Sequence, residues 1–191
     1  MRGFVIAMPN EAEAVKPCLG ADDRLYVSGI GKVNAAMATQ KAIDDGATEI
    51  VNAGTSGGFD PAMKIGDVVE IARAVEYDFD LAKLNGTRIG QLSERDSPYI
   101  PCGGGSATLA TGDHFNDSDA DLGLLAELGC TVRDMEGAAV AHVCEKNGVP
   151  CRIFKVISDV HGEGSMTDQF VDNLPFALER LTAALQEVFS R

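Results

Sequence analysis

The stretch "RDMEGAAVAHVCEKNGVPCRIFKVISD", residues 133–159, joins a predicted helix to a predicted strand. Its first part, 133–150, is rich in alanine and ends at Asn147-Gly148, with Pro150 just beyond, as helices commonly end. Its second part, 151–159, is a short apolar run that is typical of a buried strand. Glu136 falls in the first turn of the predicted helix, where the helix dipole alone already favours a carboxylate.

The same alternation of strand and helix continues towards the N-terminus. Further strands are predicted at 3–8, 24–31, 49–58, 66–78 and 106–113. Helices are predicted after Asn10, over 32–46, over 118–129 with Ser118 as its N-cap, and over roughly 168–190. This order predicts one α/β domain over residues 1–191, built around a largely parallel sheet. The polar, glycine- and proline-rich segment 84–105 is long for a loop, and such loops are usually functional or disordered.

Composition excludes several classes of function. The 191 residues carry a formal net charge of −13, which repels nucleic acid and anionic membrane, and no stretch has the apolar length of a membrane span. The five cysteines lack a disulfide or CxxC spacing, which indicates reduced thiols and a cytoplasmic protein. The three histidines lack ligand spacing with them, so we expect neither a metal site nor another cofactor.

Several candidate functional residues follow the predicted strands. Ligands of open α/β sheets bind outside the carboxyl ends of the strands, so these positions are expected to share one cleft. The positions are Met8, Glu11, Ile30, Thr55, Ser56, Gly57, Asp113, Phe115, Ser158 and Asp159, with Glu136 just before the last strand. Each also has a structural explanation: Glu11 and Asp159 suit helix termini, and Phe115, Met8 and Met135 suit a core. Neither "SGIGK" nor "GTSGGF" matches a phosphate-binding motif.

Six segments, taken in order, resemble the signature blocks of one enzyme family. They are "AMPNEAEAV" (7–15), "SGIGKVNAA" (28–36), "VNAGTSGGFDPAMKIGDVV" (51–69), "ATGDHF" (110–115), "DMEGAAVAHVCEKNGVP" (134–150) and "ISD" (157–159). This order is similar to that of the 5′-methylthioadenosine/S-adenosylhomocysteine nucleosidases, members of the nucleoside phosphorylase superfamily. The resemblance implies a three-layer α/β fold with a mixed, mostly parallel and partly barrel-like sheet. It also implies a homodimer.

The resemblance assigns roles to the candidate residues. It implies that Glu11 activates the attacking water, that Glu136 grips the ribose hydroxyls beside Met135, and that Asp159 protonates the purine at N7. Phe115 matches the ring that stacks on the base. The positions that match the lining of the base and sugar are Ile30, Thr55, Ser56 and Gly57, and Met8 and Ser158 are included as candidate substrate-binding residues. Such roles suit cleavage of an N-glycosidic bond, which needs a protonated leaving group and a water on the other side of the sugar.

The chain departs from the family pattern at several places. It lacks the family's hairpin before "SGIGK" and the helix before the "TGD" strand, so the domain is shortened. Lys155 stands where the family has an arginine near the sugar. Asn85 and Ser93 replace apolar residues that line the 5′ end of the substrate across the dimer, so the 5′ substituent does not follow from the resemblance.

The sequence therefore predicts a purine nucleoside N-ribohydrolase that acts on 5′-modified adenosines. Futalosine hydrolases tend to have "ISN" where this chain has "ISD", and an aspartate suits an amino-purine better than a 6-oxo purine. Three alternatives remain: a futalosine hydrolase, a phosphorolytic enzyme, and a non-catalytic nucleoside-binding protein. Asn52, where phosphorylases hold phosphate with an arginine, favours water over phosphate as the nucleophile.

Overall fold

The computed structural model describes residues 1–115 and 119–189. Its strands are β1 (Arg2–Ile6), β2 (Arg24–Val27), β3 (Glu49–Gly58), β4 (Val68–Glu76), β5 (Ile100–Pro101), β6 (Ala107–Thr111), β7 (Val132–Asp134) and β8 (Cys151–Val160). Its α-helices are α1 (Pro9–Val15), α2 (Lys32–Asp44), α3 (Ala82–Asn85), α4 (Leu122–Glu127), α5 (Gly137–Asn147) and α6 (Met166–Phe189). Short 3-10 helices cover Lys16–Cys18 and Asp119–Asp121. Within these ranges, none of the helices combines the length and the apolar character needed to cross a membrane.

The strands form one mixed sheet that closes partly on itself. The order is β2-β1-β3-β7-β6-β4-β5, and β8 pairs with both β3 and β4. The five strands β3, β7, β6, β4 and β8 therefore make a closed ring. Helices α2 and α5 cover the apolar side chains of one face, and α1 and α6 cover those of the other. The predicted three-layer fold with a mixed, mostly parallel and partly barrel-like sheet is confirmed.

The predicted start of the helix at 133 is wrong. Residues Val132–Asp134 form β7, which pairs in parallel with β6 and antiparallel with β3, and α5 begins only at Gly137. The Asp134 carboxylate accepts a hydrogen bond from Gly137 N at 2.8 Å, which stabilises the turn between the strand and the helix. Glu136 is therefore the N-cap residue of α5 and lies outside its first turn.

Two predicted helix caps have different outcomes. Met8 is the N-cap residue of α1, so the prediction of Asn10 is wrong. Asn10 lies inside the first turn of α1, where its Oδ1 accepts from Glu11 N at 2.9 Å. The predicted cap at Ser118 lies outside the described residues.

The polar segment 84–105 packs against the rest of the chain. Arg95 Nε donates to Glu145 Oε2 at 2.7 Å, and Tyr99 donates its hydroxyl to Leu128 O at 2.8 Å. Ile100 is buried beside β4, with which the two-residue strand β5 pairs. This segment therefore packs against α5 and the C-terminal end of α4.

Candidate active site

The residues predicted for the site come together in one cavity of about 390 Å³. It opens at the carboxyl ends of β1, β3 and β8, as expected for an α/β sheet. Every candidate from the sequence except Asp113 lines it: Met8, Glu11, Ile30, Thr55, Ser56, Gly57, Phe115, Met135, Glu136, Ser158 and Asp159. Asp113 instead accepts a hydrogen bond from Lys32 N at 2.8 Å, which fixes the start of α2.

Glu11 is buried between α1 and β3, with an exposed fraction of 3%. Its Oε1 accepts from the backbone N–H and the hydroxyl of Thr55 at 2.8 and 2.9 Å, and its Oε2 accepts from Met8 N at 3.1 Å. The contact with Met8 N is the role expected of a carboxylate at the N-terminus of α1. The contacts with Thr55 are additional, because they join α1 to β3. Burial raises the pKa of Glu11, and the Thr55 N–H and the charge of Lys155 oppose that shift. A buried carboxylate of this kind is a stronger base than an exposed one.

The approach of Glu11 to β3 depends on Gly54. A Cβ atom at Gly54 would lie 2.7 Å from Glu11 Oε1, closer than van der Waals contact allows. Only glycine leaves room at this place for the carboxylate beside the strand.

Glu136 is a second buried carboxylate that lines the cavity. Its Oε1 accepts from Gly31 N at 2.8 Å, which ties the turn after β2 to the start of α5. Burial and then the negative charge of Asp134 raise the pKa of Glu136 to about 7, against the opposing charge of Lys155. Ionisation of Glu136 therefore lowers the free energy of unfolding.

Glu136→Gln is expected to stabilise the protein above the pKa of Glu136. The pKa of this carboxyl is raised from 4.5 to about 7, so its contribution to stability is complete below the lower value and is lost as the pH rises through the upper one. A neutral amide keeps an acceptor for Gly31 N and avoids that loss, which is worth about 1–3 kcal/mol. Chemical denaturation at alkaline pH measures the gain. Glu127→Gln, at an exposed position on α4, is the matched control and should change little; a less stable Glu136→Gln protein at alkaline pH would contradict the expectation.

Asp159 is the third buried carboxylate, with an exposed fraction of 1%. It lies within β8, seven residues before α6 begins at Met166. The pairing of β8 with β3 shifts register between Ser56 and Gly57, which face Ile157 and Asp159. This bulge turns Asp159 towards Gly57, where a Cβ atom would lie 2.9 Å from Oδ1. Ser158 donates its hydroxyl to Asp159 Oδ2 at 2.7 Å.

Two aromatic side chains, Phe115 and Phe170, line the same cavity as these carboxylates. Phe115 is 48% exposed, so the alternative that it is a core residue is wrong. Its ring packs edge to face against Phe170 at a centroid distance of 5.9 Å. An exposed ring at the edge of a largely apolar cavity is suited to stacking on a flat ligand.

Sequence reasoning missed part of the cavity lining. The missed residues are Ala7, Arg133, Asp134, Thr167, Phe170 and Val171. The last three lie on one face of α6 at helical spacing, shortly after Asp159, which is the signal that could have found them. Over the described ranges, His, Cys, Asp and Glu side chains nowhere gather in a group of three that could hold a metal ion.

Comparison with known proteins identifies the family. The Phosphorylase superfamily profile matches residues 20–190. A 5′-methylthioadenosine/S-adenosylhomocysteine nucleosidase of Marinomonas sp. (strain MWYL1) is 34% identical over 88% of this chain and 81% of its own length. The enzyme of that name from Geobacillus kaustophilus (strain HTA426) is 33% identical over 80% of this chain and 74% of its own length.

Solved structures share the fold. The Helicobacter pylori nucleosidase of the same name superposes with a TM-score of 0.89 at 23% identity, covering 99% of this chain and 97% of its own. The futalosine hydrolase of Helicobacter pylori superposes with a TM-score of 0.88 at 23% identity, covering 97% of this chain and 95% of its own. The fold is common to both named proteins, and the two sequence relatives above carry the nucleosidase name. The chain belongs to the 5′-methylthioadenosine/S-adenosylhomocysteine nucleosidase family of the phosphorylase superfamily.

Proposed function

We propose that this protein is a purine nucleoside N-ribohydrolase that releases adenine from 5′-modified adenosines such as 5′-methylthioadenosine or S-adenosylhomocysteine. The observation that carries the proposal is the presence of three buried carboxylates, Glu11, Glu136 and Asp159, in one cavity with the Phe115 ring. A protein that only binds a nucleoside has no need to bury three carboxylates, because each costs free energy to desolvate. The names of the sequence relatives support the same reaction.

The proposed reaction divides the carboxylates between the two ends of the substrate. Asp159 protonates N7 of the purine, so that the bond from N9 to C1′ breaks and the base leaves as neutral adenine. Positive charge develops on the sugar, and the ionised Glu136, bound to the ribose hydroxyls above Met135, stabilises it. Glu11 takes the proton from the water that adds to C1′, for which its raised pKa is an advantage. Phe115 stacks on the base, and Met8, Ile30, Thr55, Ser56, Gly57 and Ser158 line the base and sugar.

Water is the proposed nucleophile because, among the residues that the structure describes, the basic groups beside the cavity are already engaged by other protein groups. The basic groups nearest to the three carboxylates are Lys155, whose ammonium is bound by Asp134 at 2.7 Å, and Arg133, whose guanidinium lies over the Phe59 ring. Asn52 occupies the position of the phosphorylase arginine and donates to Val5 O at 2.9 Å. A phosphate ion beside Glu11 would meet mostly negative charge.

A chromatographic screen tests the function. The protein is incubated with a panel of purine nucleosides, with and without phosphate, and free bases and sugars are measured. The proposal expects adenine and a free 5-modified ribose from 5′-modified adenosines at the same rate in both arms. A sugar 1-phosphate in the phosphate arm would show a phosphorolytic enzyme, and no base from any nucleoside would refute catalysis. Release from 5′-methylthioadenosine would place the chain in methionine salvage.

The proposal takes residues 1–191 as one domain, shorter than the family norm, that works in the cytoplasm as a homodimer. Support for the dimer comes from a stripe of exposed apolar side chains, Ile30, Val33 and Met37, which begins at the cavity and runs along α2 with exposed fractions of 52, 71 and 68%. Leu84, in the polar segment 84–105, is 81% exposed and suits the same interface. Isolated exposed apolar residues are ordinary, but a stripe beside a ligand cavity suits a second copy.

Light scattering at micromolar concentration is expected to give the mass of a dimer. Met37→Lys should shift the protein towards the monomer, because a charge would be buried in the interface. Val188→Lys, at an exposed apolar position of α6 away from the stripe, is the matched control and should remain dimeric. A fully active wild-type monomer contradicts the dimer.

A further inference from the structure

Lys155 is buried in the centre of the sheet although it does not line the cavity. It lies in β8 with an exposed fraction of 2%, and its Nζ is 2.7 Å from Oδ2 of Asp134. The neighbouring strands place Gly54 and Val69 beside it, so neither offers it a second charged group. A lysine so completely removed from water is costly unless it has carboxylate partners.

The partners of Lys155 are the carboxylates of the candidate active site. The titratable groups that act on it most strongly come from three elements: Asp134 in β7, Glu136 at the start of α5 and Glu11 in α1. Burial disfavours the charged ammonium, but these negative charges leave the pKa of Lys155 above its ordinary value. One buried cation therefore faces three buried carboxylates, all of which line the cavity.

The ion pair also fixes the geometry of the turn that carries Glu136. Asp134 Oδ2 accepts from Gly137 N at 2.8 Å as well as from Lys155, and Oδ1 accepts from the Thr111 hydroxyl at 2.6 Å. The Thr111 hydroxyl in turn accepts from Ala138 N at 2.9 Å. The first two N–H groups of α5 are thus held by a network that ends at Lys155, with Glu136 inside the turn.

We propose that Lys155 is a positioning residue for the reaction: its buried ammonium holds Asp134 against the start of α5 and opposes the protonation of Glu11 and Glu136. This inference rests on the proposed function. Lys155 touches neither the cavity nor the reacting atoms, and acts through Asp134 and through the electrostatic field at the carboxylates of Glu11 and Glu136. Its removal leaves three like charges in one buried cluster, which favours protonation of one or more of them.

The test is the pH dependence of kcat/KM for adenine release, measured across the range in which carboxylates and histidines titrate. Lys155→Met is expected to move the acid limb of the profile upwards by about 1 pH unit or more, because a nearby opposite charge shifts a carboxyl by that amount. Activity lost near neutrality is then partly recovered at alkaline pH. Lys155→Arg keeps the charge, matches the family's residue at this place, and is expected to restore the acid limb.

A double variant controls for a folding defect in Lys155→Met. Lys155→Met alone leaves Asp134 buried without its partner, whereas Lys155→Met combined with Asp134→Asn removes both charges, and neutral replacements of a buried ion pair are often tolerated. The double variant lacks both Lys155 and the Asp134 carboxylate, so the turn between β7 and α5 that carries Glu136 is no longer held in place. Its kcat is therefore expected to fall by a larger factor than its KM for the nucleoside rises.

The outcomes separate the two proposals. If the wild type releases adenine, and either Lys155→Met folds with an unshifted acid limb or the folded double variant keeps the wild-type kcat, Lys155 is structural and this inference is overturned. A shift in Lys155→Met that Lys155→Arg does not correct also overturns it, because the charge is then not the cause. If the wild type releases no base from any nucleoside, it is the proposed function that fails.

Discussion

Glu11→Gln is expected to lower the turnover number for adenine release by about 10²–10⁴-fold, the usual contribution of a general base. The amide keeps the size of the side chain and an oxygen that can accept from Thr55 N, so the fold and the cavity are preserved. It cannot take a proton from water, so the chemical step is slowed while binding of the nucleoside is little changed. KM should therefore stay within a few-fold of the wild type.

The matched control for Glu11→Gln is Glu13→Gln on the same helix. Glu13 is exposed and pairs with Lys16 on the surface, so its amide variant should keep wild-type turnover. Single-turnover measurements at saturating nucleoside separate the chemical step from product release. Near wild-type hydrolysis by Glu11→Gln would falsify its role as the base and leave only its contacts with Met8 and Thr55.

Asp159→Asn is expected to abolish most adenine release while binding of the nucleoside survives. The amide of an asparagine has no proton of suitable acidity to give to N7, so the purine must leave as an anion. The bulge in β8 and the Ser158 hydroxyl should hold an asparagine in the same place, because both act on the position and not on the charge. Turnover should fall by at least about 10²-fold, with the dissociation constant of the substrate changed far less.

Calorimetric binding and rate measurements on the same preparation check this separation. Asp172→Asn, at an exposed position of α6, is the control that should behave as the wild type. A variant that loses binding and turnover together would indicate that Asp159 only shapes the cavity. Efficient release of adenine by Asp159→Asn would show that the proton comes from another group.

The identity of Asp159 also predicts the preferred base. In a protonated aspartate, one oxygen donates to N7 and the other can accept from the N6–H of an amino-purine. Against a 6-oxo purine the second oxygen faces a lone pair, a buried mismatch that typically costs about 1–3 kcal/mol. Adenine nucleosides should therefore be preferred over hypoxanthine nucleosides. Efficient cleavage of futalosine or inosine with 5′-modified adenosines untouched would assign the protein to the alternative activity.

The alternation of apolar runs with amphipathic segments was sufficient to predict the α/β fold and the side of the sheet that holds the cavity. The three-residue strand β7 was not predictable, because it is too short to show a period and its only support is pairing with β3 and β6. Its presence moves Glu136 from a helical turn to the N-cap position of α5. The alanine-rich run that follows hides this boundary in the sequence.

The candidate site was predictable in its residues but not in its electrostatics. The segments that resemble the family identified Glu11, Glu136 and Asp159, yet the sequence does not show how deeply each is buried. The bulge at Ser158 depends on the register between β8 and β3, which are about a hundred residues apart in the chain. The ion pair between Lys155 and Asp134 depends on the same arrangement, because β8 and β7 are brought close together by their common neighbour β3.

The closed ring of five strands also constrains how the protein is made. β3 and β4 cannot complete their hydrogen bonding until β8 lies between them, and β8 begins 93 residues after the end of β3 and 75 residues after the end of β4. Long-range pairings of this kind are slow to form, because the entropy of closing the intervening loop must be lost before any contact is gained. During synthesis, a nascent chain still lacking β8 leaves the facing edges of β3 and β4 exposed to partner strands from other molecules. Exposed strand edges of this kind make a partly synthesised chain prone to aggregation.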